Sequence, residues 1–307
     1  MIYNYLNMRR ILVIIITCFA FFSCSKVPNV WYVQPEFEKT WTGIIPNAPK
    51  PAMDIIVWES EELPPGPGIY IASKLRQNQQ KVNVYYRLSY DLEYQEALVL
   101  AFDPWMIFHK YKNPELTVER AYSNSRGNGI LLIPGKNKEY VNAWVARLIQ
   151  ESPGQFPLDE KTWKEQQDIL FSGNRFPNGA NTYTLNDVLF RLMGSENAWL
   201  YAPISVIRRY RDARKAILEA VPFPEVTADS QYSLQAKLLW ALPLGTEKQK
   251  KKFSAIINWL KAPETQTIIA DALGWIPADP YGKPYDPMCY SSQRNWLTAS
   301  YIYDVNE

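Results

Sequence analysis

The sequence predicts an α/β fold in which strands and helices alternate and the strands are covered on both faces. Residues 53–61 (MDIIVWESE) and 96–105 (EALVLAFDPW) are apolar runs of strand length that end in polar or aromatic loops. Residues 69–80 lie between them, carry one apolar face and are predicted to form a helix. Strands as apolar as these are typical of parallel sheets with helices on both faces.

The remaining elements repeat this style. Further strands are predicted at residues 81–88, 129–134 and 233–245. Helices are predicted at residues 140–150, 161–171 and 184–194. Residues 198–205 (AWLYAPIS) fit either a strand or a buried turn. The Pro-rich residues 25–52 are predicted to be a tether and an irregular lead-in.

The carboxy-terminal residues 253–278 predict two helices and then an abrupt stop. The first helix has an apolar face made of Phe253, Ile256, Ile257 and Leu260. The second begins at Pro263 and has an apolar face made of Ile268, Ile269, Ala272 and Leu273. Gly274 is predicted to be the left-handed residue after the helix, and Pro277 prevents continuation. Trp275 is therefore held by a rigid turn.

The amino terminus predicts export. Arg9 and Arg10 precede a short apolar run, residues 11–22, and the run ends in Ser23-Cys24. A small residue directly before cysteine resembles the cleavage box of bacterial lipoproteins, in which Cys24 would become the acylated first residue. The alternatives are an uncleaved anchor and an ordinary signal peptide. The predicted location is the cell envelope, on a membrane and facing the periplasm or the exterior.

Charge, cysteine and histidine content exclude several functions. Of the 33 basic residues, two lie in the signal, which leaves 31 against 31 acidic residues. A neutral chain gives no electrostatic reason to expect nucleic acid as a partner. Once Cys18 is removed and Cys24 is acylated, Cys289 has no partner for a disulfide. A single histidine, His109, excludes a multi-histidine zinc site, and no cofactor or metal is expected.

Five stretches, most of them in the carboxy-terminal half, form a recognisable set: VPFP, the long run from LLWALPLG to ALGWIPA, KTWKEQ, NDVLFRLMGSENAWLY and RGNGILLIP. They resemble segments of type II extracellular solute-binding proteins of ABC importers, in particular the carbohydrate-binding group. The resemblance implies two α/β lobes joined by hinge crossovers, with a ligand in the cleft between them. The implied lobes are residues 53–131 plus 244–277 and residues 132–243 plus 278–307, after a signal at 1–23 and a lead-in at 24–52. It also implies a monomer that delivers a sugar or oligosaccharide to an ABC permease.

The candidate ligand-binding residues come from two sources. Ligands of open α/β sheets lie beyond the carboxyl ends of the strands, and this rule selects Trp58, Glu59, Asp103 and Trp105. The family resemblance adds Asn197, Trp199, Tyr201 and Trp275. Aromatic faces stack on the apolar C–H surface of sugars, and Asp, Asn and Glu bond their hydroxyls. For each tryptophan, a structural role in the core is an open alternative.

Two other functions stay open at the level of sequence. A divergent member of the family could have lost transport and act as a structural or protein-interaction lipoprotein, because its first lobe is short. A surface hydrolase would require two carboxylates that face each other across a cleft at roughly 5–10 Å. We predict a binding protein and no enzyme, because no catalytic motif is recognisable in the sequence.

Overall fold

The computed structural model describes residues 29–60, 62–73, 85–87, 97–110, 130–150, 160–172, 176–195, 198–214, 218–221, 233–297 and 301–304. The strands in these ranges are β1 (Val30–Val33), β2 (Asp54–Val57), β3 (Gly68–Ala72), β4 (Tyr85–Arg87), β5 (Leu98–His109), β6 (Ile130–Leu132), β7 (Ala198–Pro203), β8 (Glu219–Val221), β9 (Ser233–Leu244), β10 (Ile276–Pro277) and β11 (Tyr301–Asp304). The helices are α1 (Glu38–Ile44), α2 (Lys138–Gln150), α3 (Glu160–Ser172), α4 (Leu185–Gly194), α5 (Ile204–Arg214), α6 (Glu247–Lys250), α7 (Ser254–Lys261), α8 (Pro263–Leu273) and α9 (Pro287–Leu297). None of the described helices is both long enough and apolar enough to cross a bilayer.

The sheet is mixed, and its main strand order is β2-β1-β3-β9-β5-β7-β6. β1 pairs in parallel with β2 and β3, whereas β9 is antiparallel to both β3 and β5. The prediction of a parallel sheet is therefore right for β1 to β3 and for the β6–β7 pair, and wrong for the sheet as a whole. The antiparallel pairs arise where the twelve-residue strands β5 and β9 run between two halves of the molecule in opposite directions.

Two large apolar clusters define two lobes. We call lobe 1 the part around the cluster that includes Trp31, Trp41 and Ile256, and lobe 2 the part around Trp144, Leu192 and the second half of β5. β5 and β9 contribute to both clusters. The two-lobe α/β architecture with crossover strands is thus confirmed, while the predicted residue boundaries of the lobes stay a prediction.

The lead-in prediction is wrong for residues 30–47. β1 is buried along all four residues and lies in the middle of the lobe 1 sheet, and α1 buries Trp41 and Ile44. The predicted helix at residues 69–80 is also wrong where the structure describes it, because β3 is a fully buried strand between β1 and β9. Residues 74–80 of that prediction lie outside the described part.

The two carboxy-terminal helices form as predicted, with one changed face. Gly274 ends α8 with φ 77°, the left-handed cap expected there. In α8, however, Ile268 is 48% exposed, and the buried residues include Gln266 and Thr267. These two side chains accept hydrogen bonds from the backbone N–H groups of Asp279 (2.6 Å) and Lys283 (3.0 Å). The following loop therefore covers this polar face, which apolar periodicity cannot reveal.

Candidate functional site

Asp103 lies at the point where β5 changes its main partner. The first part of β5 pairs with β9, where Asp103 is opposite Lys237, and the second part pairs with β7. Helix α5 follows β7 directly, and its first turn contacts Asp103. The Ser205 N–H donates to Oδ1 of Asp103 at 2.9 Å, and the Ser205 hydroxyl donates to Oδ2. A carboxylate at a helix N-terminus is favoured by the helix dipole, so Asp103 ties a crossover strand to lobe 2.

The Asp103 carboxyl group is ionisable near neutral pH. It is 4% exposed, and its burial raises its pKa from 3.8 to about 6. The hydrogen bonds from Ser205 and the charges of Lys237 and Arg209 act in the opposite direction but do not cancel the effect of burial. A buried carboxyl group with a perturbed pKa at a strand crossover is typical of a functional site.

A second polar group lies at the carboxyl ends of β1 and β3. The Ser73 N–H donates to Oε1 of Gln34 at 2.7 Å, and the Ser73 hydroxyl donates to Oε1 of Glu36 at 3.1 Å. The side-chain amide of Gln34 donates to the Tyr70 hydroxyl at 3.1 Å. These bonds fix the side chains that follow two neighbouring parallel strands, where ligands of α/β sheets bind.

Lys237 links the two groups across the hinge. Its Nζ is 3.9 Å from Oε1 of Glu36, and its backbone is in register with Asp103. The side chains of Glu36 and Lys237 are 46% and 30% exposed, whereas Asp103 and Ser73 are buried. We call Gln34, Glu36, Ser73, Asp103, Ser205 and Lys237 the hinge polar cluster. Glu36 and Lys237 are therefore accessible to solvent.

Trp58 and Glu59, two of the predicted site residues, lie at the same edge of lobe 1. The Trp58 backbone N–H donates to the Val33 carbonyl at 2.9 Å, which places it beside the start of the hinge polar cluster. Its ring is half-buried, contacts the Tyr32 ring edge-on at 5.8 Å and donates from Nε1 to the Glu62 carbonyl. Glu59 is exposed.

The other predicted aromatic residues lie in apolar cores. Trp105, Trp199 and Tyr201 are at most 3% exposed and belong to the lobe 2 cluster, with the Trp105 and Tyr201 ring centroids 5.3 Å apart. Trp105 also contacts the Tyr140 ring at 5.0 Å. Their predicted contact with a ligand stays a prediction, and Asn197 lies outside the described residues.

The hydroxyl of Tyr140 is the polar feature of this aromatic cluster. It is buried and has no hydrogen-bond partner among the described residues. Burial raises the pKa of Tyr140, and the charges of Glu139 and Asp103 raise it further. The group therefore stays protonated and can donate one hydrogen bond. Buried polar atoms without partners are rare in proteins, so this hydroxyl is a candidate contact for a polar ligand atom or a water molecule.

Trp275 lies in the lobe 1 core. It is 5% exposed and contacts the Phe37 ring edge-on, with the centroids 5.8 Å apart. The Trp275 N–H donates to the Ala270 carbonyl at 2.8 Å, which closes the turn after α8. The rigid turn predicted from Gly274 and Pro277 thus directs this ring onto the segment that follows β1.

Ion pairs join α5 to α8 and to the segment after it. Arg208 lies 3.7 Å from Asp271 and 3.4 Å from Asp286, and Arg211 forms a short ion pair with the same Asp286. Although burial opposes it, the hydrogen bond and charge of Arg211 hold the Asp286 pKa below its usual value. Cys289 is buried next to this cluster, and burial raises the pKa of its thiol to about 12. At neutral pH the group is a thiol and a poor nucleophile.

Several residues of the hinge polar cluster were not predicted from the sequence. Gln34 and Glu36 follow β1, whose four apolar residues before a proline are a strand signal concealed by Pro-rich surroundings. Ser205 and Lys237 carry no local signal, because only the tertiary pairing of β5 brings them to Asp103. No group of three or more His, Cys, Asp or Glu side chains in the described ranges is placed to hold a metal ion.

Comparison of the fold with solved structures identifies its class. The chain is similar to the bacterial solute receptor AcbH, which has an exclusive preference for β-D-galactopyranose, at 10% identity and TM-score 0.64, over 90% of this chain and 87% of that one. It is similar to a probable secreted solute-binding lipoprotein from Streptomyces coelicolor at 10% identity and TM-score 0.56, over 91% and 89% of the two chains. The fold is therefore the two-lobe type II fold of periplasmic binding proteins, as predicted.

The same fold also occurs in an enzyme. Thiaminase I from Bacillus thiaminolyticus is similar at 12% identity and TM-score 0.57, over 90% of this chain and 94% of that one. No protein-family model and no curated sequence matches the chain. At these identities the likeness defines the fold, and the function must be argued from the site.

Proposed function

We propose that this protein is a lipid-anchored receptor that captures a sugar or oligosaccharide between its lobes and delivers it to an ABC permease. The observation that carries the proposal is the hinge polar cluster. It places a buried carboxylate, a partly exposed lysine and a partly exposed glutamate at the carboxyl edge of the lobe 1 strands. In this fold, the lobes move about the crossover strands and close around a ligand.

The chemistry of the cluster suits a polyhydroxylated ligand. A sugar hydroxyl both donates and accepts hydrogen bonds, so it can donate to the Glu36 carboxylate and accept from the Lys237 ammonium group. Trp58 lies at the same edge and offers a partly exposed aromatic ring on which a sugar C–H face can stack. The buried Tyr140 hydroxyl, which the charge of Asp103 influences, is a further donor.

Thermal unfolding of residues 24–307 with a panel of sugars, oligosaccharides, amino acids and polyamines tests the proposal. A ligand present at a hundred times its Kd adds about 2.7 kcal/mol to the free energy of unfolding, which for a chain of this length is a Tm shift of about 5 °C. We expect a shift with one sugar class, and we expect Lys237→Met to reduce it. Lys164→Met, at an exposed position of α3, is the matched control and should keep the full shift.

A panel without any shift would contradict the receptor proposal. The alternative is then a solute-binding-like lipoprotein with a structural or protein-interaction role. One observation favours this alternative: four predicted ligand contacts, Trp105, Trp199, Tyr201 and Trp275, are at most 5% exposed. Side chains so deeply packed contribute to the cores of the lobes and leave little aromatic surface for stacking.

We propose no catalytic role. Cys289, the cysteine within the described residues, is buried and its thiol has a raised pKa. Release of product from chromogenic glycosides at a rate that depends on Asp103 or Glu36 would contradict this and favour the hydrolase hypothesis.

A further inference from the structure

The chain enters lobe 1 at the edge opposite the hinge polar cluster. β1 starts at Val30, and the Asn29 carbonyl accepts a hydrogen bond from the Asp54 N–H at the start of β2. Val30 is in register with Asp54 and with Gly68, so three parallel strands begin here. If Cys24 is acylated, only the five residues 25–29 separate the lipid from this edge. Even when fully extended, five residues span at most about 18 Å.

A lysine-rich segment lies at the same edge. β9 is antiparallel to β3, and Leu244 at its end is in register with Gly68 at the start of β3. Gly245 follows with φ 116°, and a Cβ there would approach Pro67 to 3.0 Å. Helix α6 begins two residues later. The segment at residues 247–252 therefore projects from the edge at which the chain enters lobe 1.

This segment carries a net positive charge on accessible side chains. It contains four lysines and one glutamate. Lys248, Lys251 and Lys252 are exposed. Lys250 is partly buried and lies 3.6 Å from Glu247. The three exposed lysines belong neither to the apolar core nor to the hinge polar cluster.

The opposite edge of lobe 1 is acidic. Glu36 follows β1, and Glu59 and Glu62 follow β2, and all three residues are exposed. Among the described residues, exposed lysines thus outnumber the exposed acids Asp54 and Glu247 where the chain enters, and exposed glutamates outnumber Lys237 at the edge of the hinge polar cluster. An anionic surface would attract the first edge and repel the second.

We propose that Lys248, Lys251 and Lys252 dock lobe 1 onto the anionic membrane that holds its lipid anchor. The hinge polar cluster then points away from the bilayer. The inference rests on the anchor in the proposed function and adds a membrane-binding surface and an orientation. The short tether keeps the lysines near the lipid headgroups, where each basic residue strengthens binding to an anionic surface about fivefold.

Lysine reactivity of the full acylated protein on vesicles tests the orientation. The probes are vesicles of pure phosphatidylcholine and vesicles in which about a third of the lipid is phosphatidylglycerol. We expect acetylation of the three lysines to be about fivefold or more slower on the anionic vesicles. About 0.5 M NaCl should abolish the difference, because the Debye length then falls below about 5 Å. Lys161 and Lys164, exposed on α3, are internal controls whose acetylation should not change.

Equal acetylation of all these lysines on both kinds of vesicle would overturn the inference. A second readout uses the triple change Lys248→Gln, Lys251→Gln and Lys252→Gln, with Lys161→Gln plus Lys164→Gln as the matched control. Lys50, an exposed lysine four residues before β2, lies near the same edge and should also be acetylated more slowly on anionic vesicles. The triple variant should lose this protection of Lys50, and the control should keep it.

The failure of the anchor can be told apart from the failure of the docking surface. The mass of the amino-terminal peptide shows whether Cys24 carries lipid. If it carries none, sedimentation of the unacylated chain with the same vesicles decides the docking proposal alone. Salt-sensitive binding to anionic vesicles that the triple variant loses would support it, and absence of binding would overturn it.

Discussion

Replacing Asp103 with asparagine should stabilise the protein above about pH 6 and leave its stability near pH 4 almost unchanged. The carboxyl pKa rises from 3.8 to about 6 on folding, which corresponds to about 3 kcal/mol against the ionised form. Between these pH values the folded state holds more protons than the unfolded state. Its free energy of unfolding therefore falls as the pH rises, and this loss is complete above about pH 6.

The asparagine has nearly the same shape and can keep both hydrogen bonds. Its carbonyl oxygen accepts from the Ser205 N–H, and its amide can donate to the Ser205 hydroxyl. The bonds that Ser205 makes to the carboxylate already lower the folded-state pKa, so the value of about 6 includes their contribution. We expect Asp103→Asn to be about 3 kcal/mol more stable than the parent at pH 7.

Urea unfolding of both proteins at several pH values from 4 to 7 measures this difference, provided that the m-values agree. Asp168→Asn, at an exposed position of α3, is the control and should follow the parent curve. If Asp103→Asn is equally destabilised at pH 4 and pH 7, burial of the carboxylate carries no energetic penalty. Asp103 would then be a structural cap of α5 and not part of a functional site.

Three further changes test the packing around the hinge. Asp286→Asn should destabilise the protein by about 3 kcal/mol at pH 7 in urea unfolding, because Arg211 loses its buried partner, and by less in acid, where the low pKa of Asp286 is crossed. Trp275→Ala should cost about 3–5 kcal/mol by the same assay through the cavity left in lobe 1; a loss below about 1 kcal/mol would contradict its place in the core. Gly274→Ala should lower the free energy of unfolding by about 1 kcal/mol or more, because its φ is 77°. Gly194→Ala, which has open space around its Cβ position, should not lower the free energy of unfolding.

Local patterns predicted the long elements well. The apolar runs that form β5 and β9 are found in strands of twelve residues. Runs this apolar must be buried in regular structure, so their pattern predicts strands clearly. The helix, proline and glycine order of residues 253–278 fixed α7, α8 and the left-handed Gly274. These signals are strong because each arises from the geometry of one short segment.

The errors share a physical cause, which is pairing between distant segments. β3 resembled a helix in sequence because four of its five residues are apolar and lead into a polar stretch, but β1 and β9 pair with it on both sides. Asp103 was predicted from the rule for strand ends. Its partner Ser205 is 102 residues away in sequence, and no local pattern could have predicted it. A site assembled across a hinge is therefore visible in sequence only through the residues that end a recognisable strand.

The order of strands in lobe 1 also has a consequence for how the chain folds. The lobe 1 cluster joins Trp31 to Trp275, and β3 pairs with a strand that ends at residue 244. Such distant contacts form slowly, because a long loop must close before any contact compensates its entropy. Lobe 1 cannot be completed until almost the entire chain has left the ribosome. A polypeptide that stays incomplete for so long exposes apolar surface and remains a substrate for chaperones until its synthesis is nearly finished.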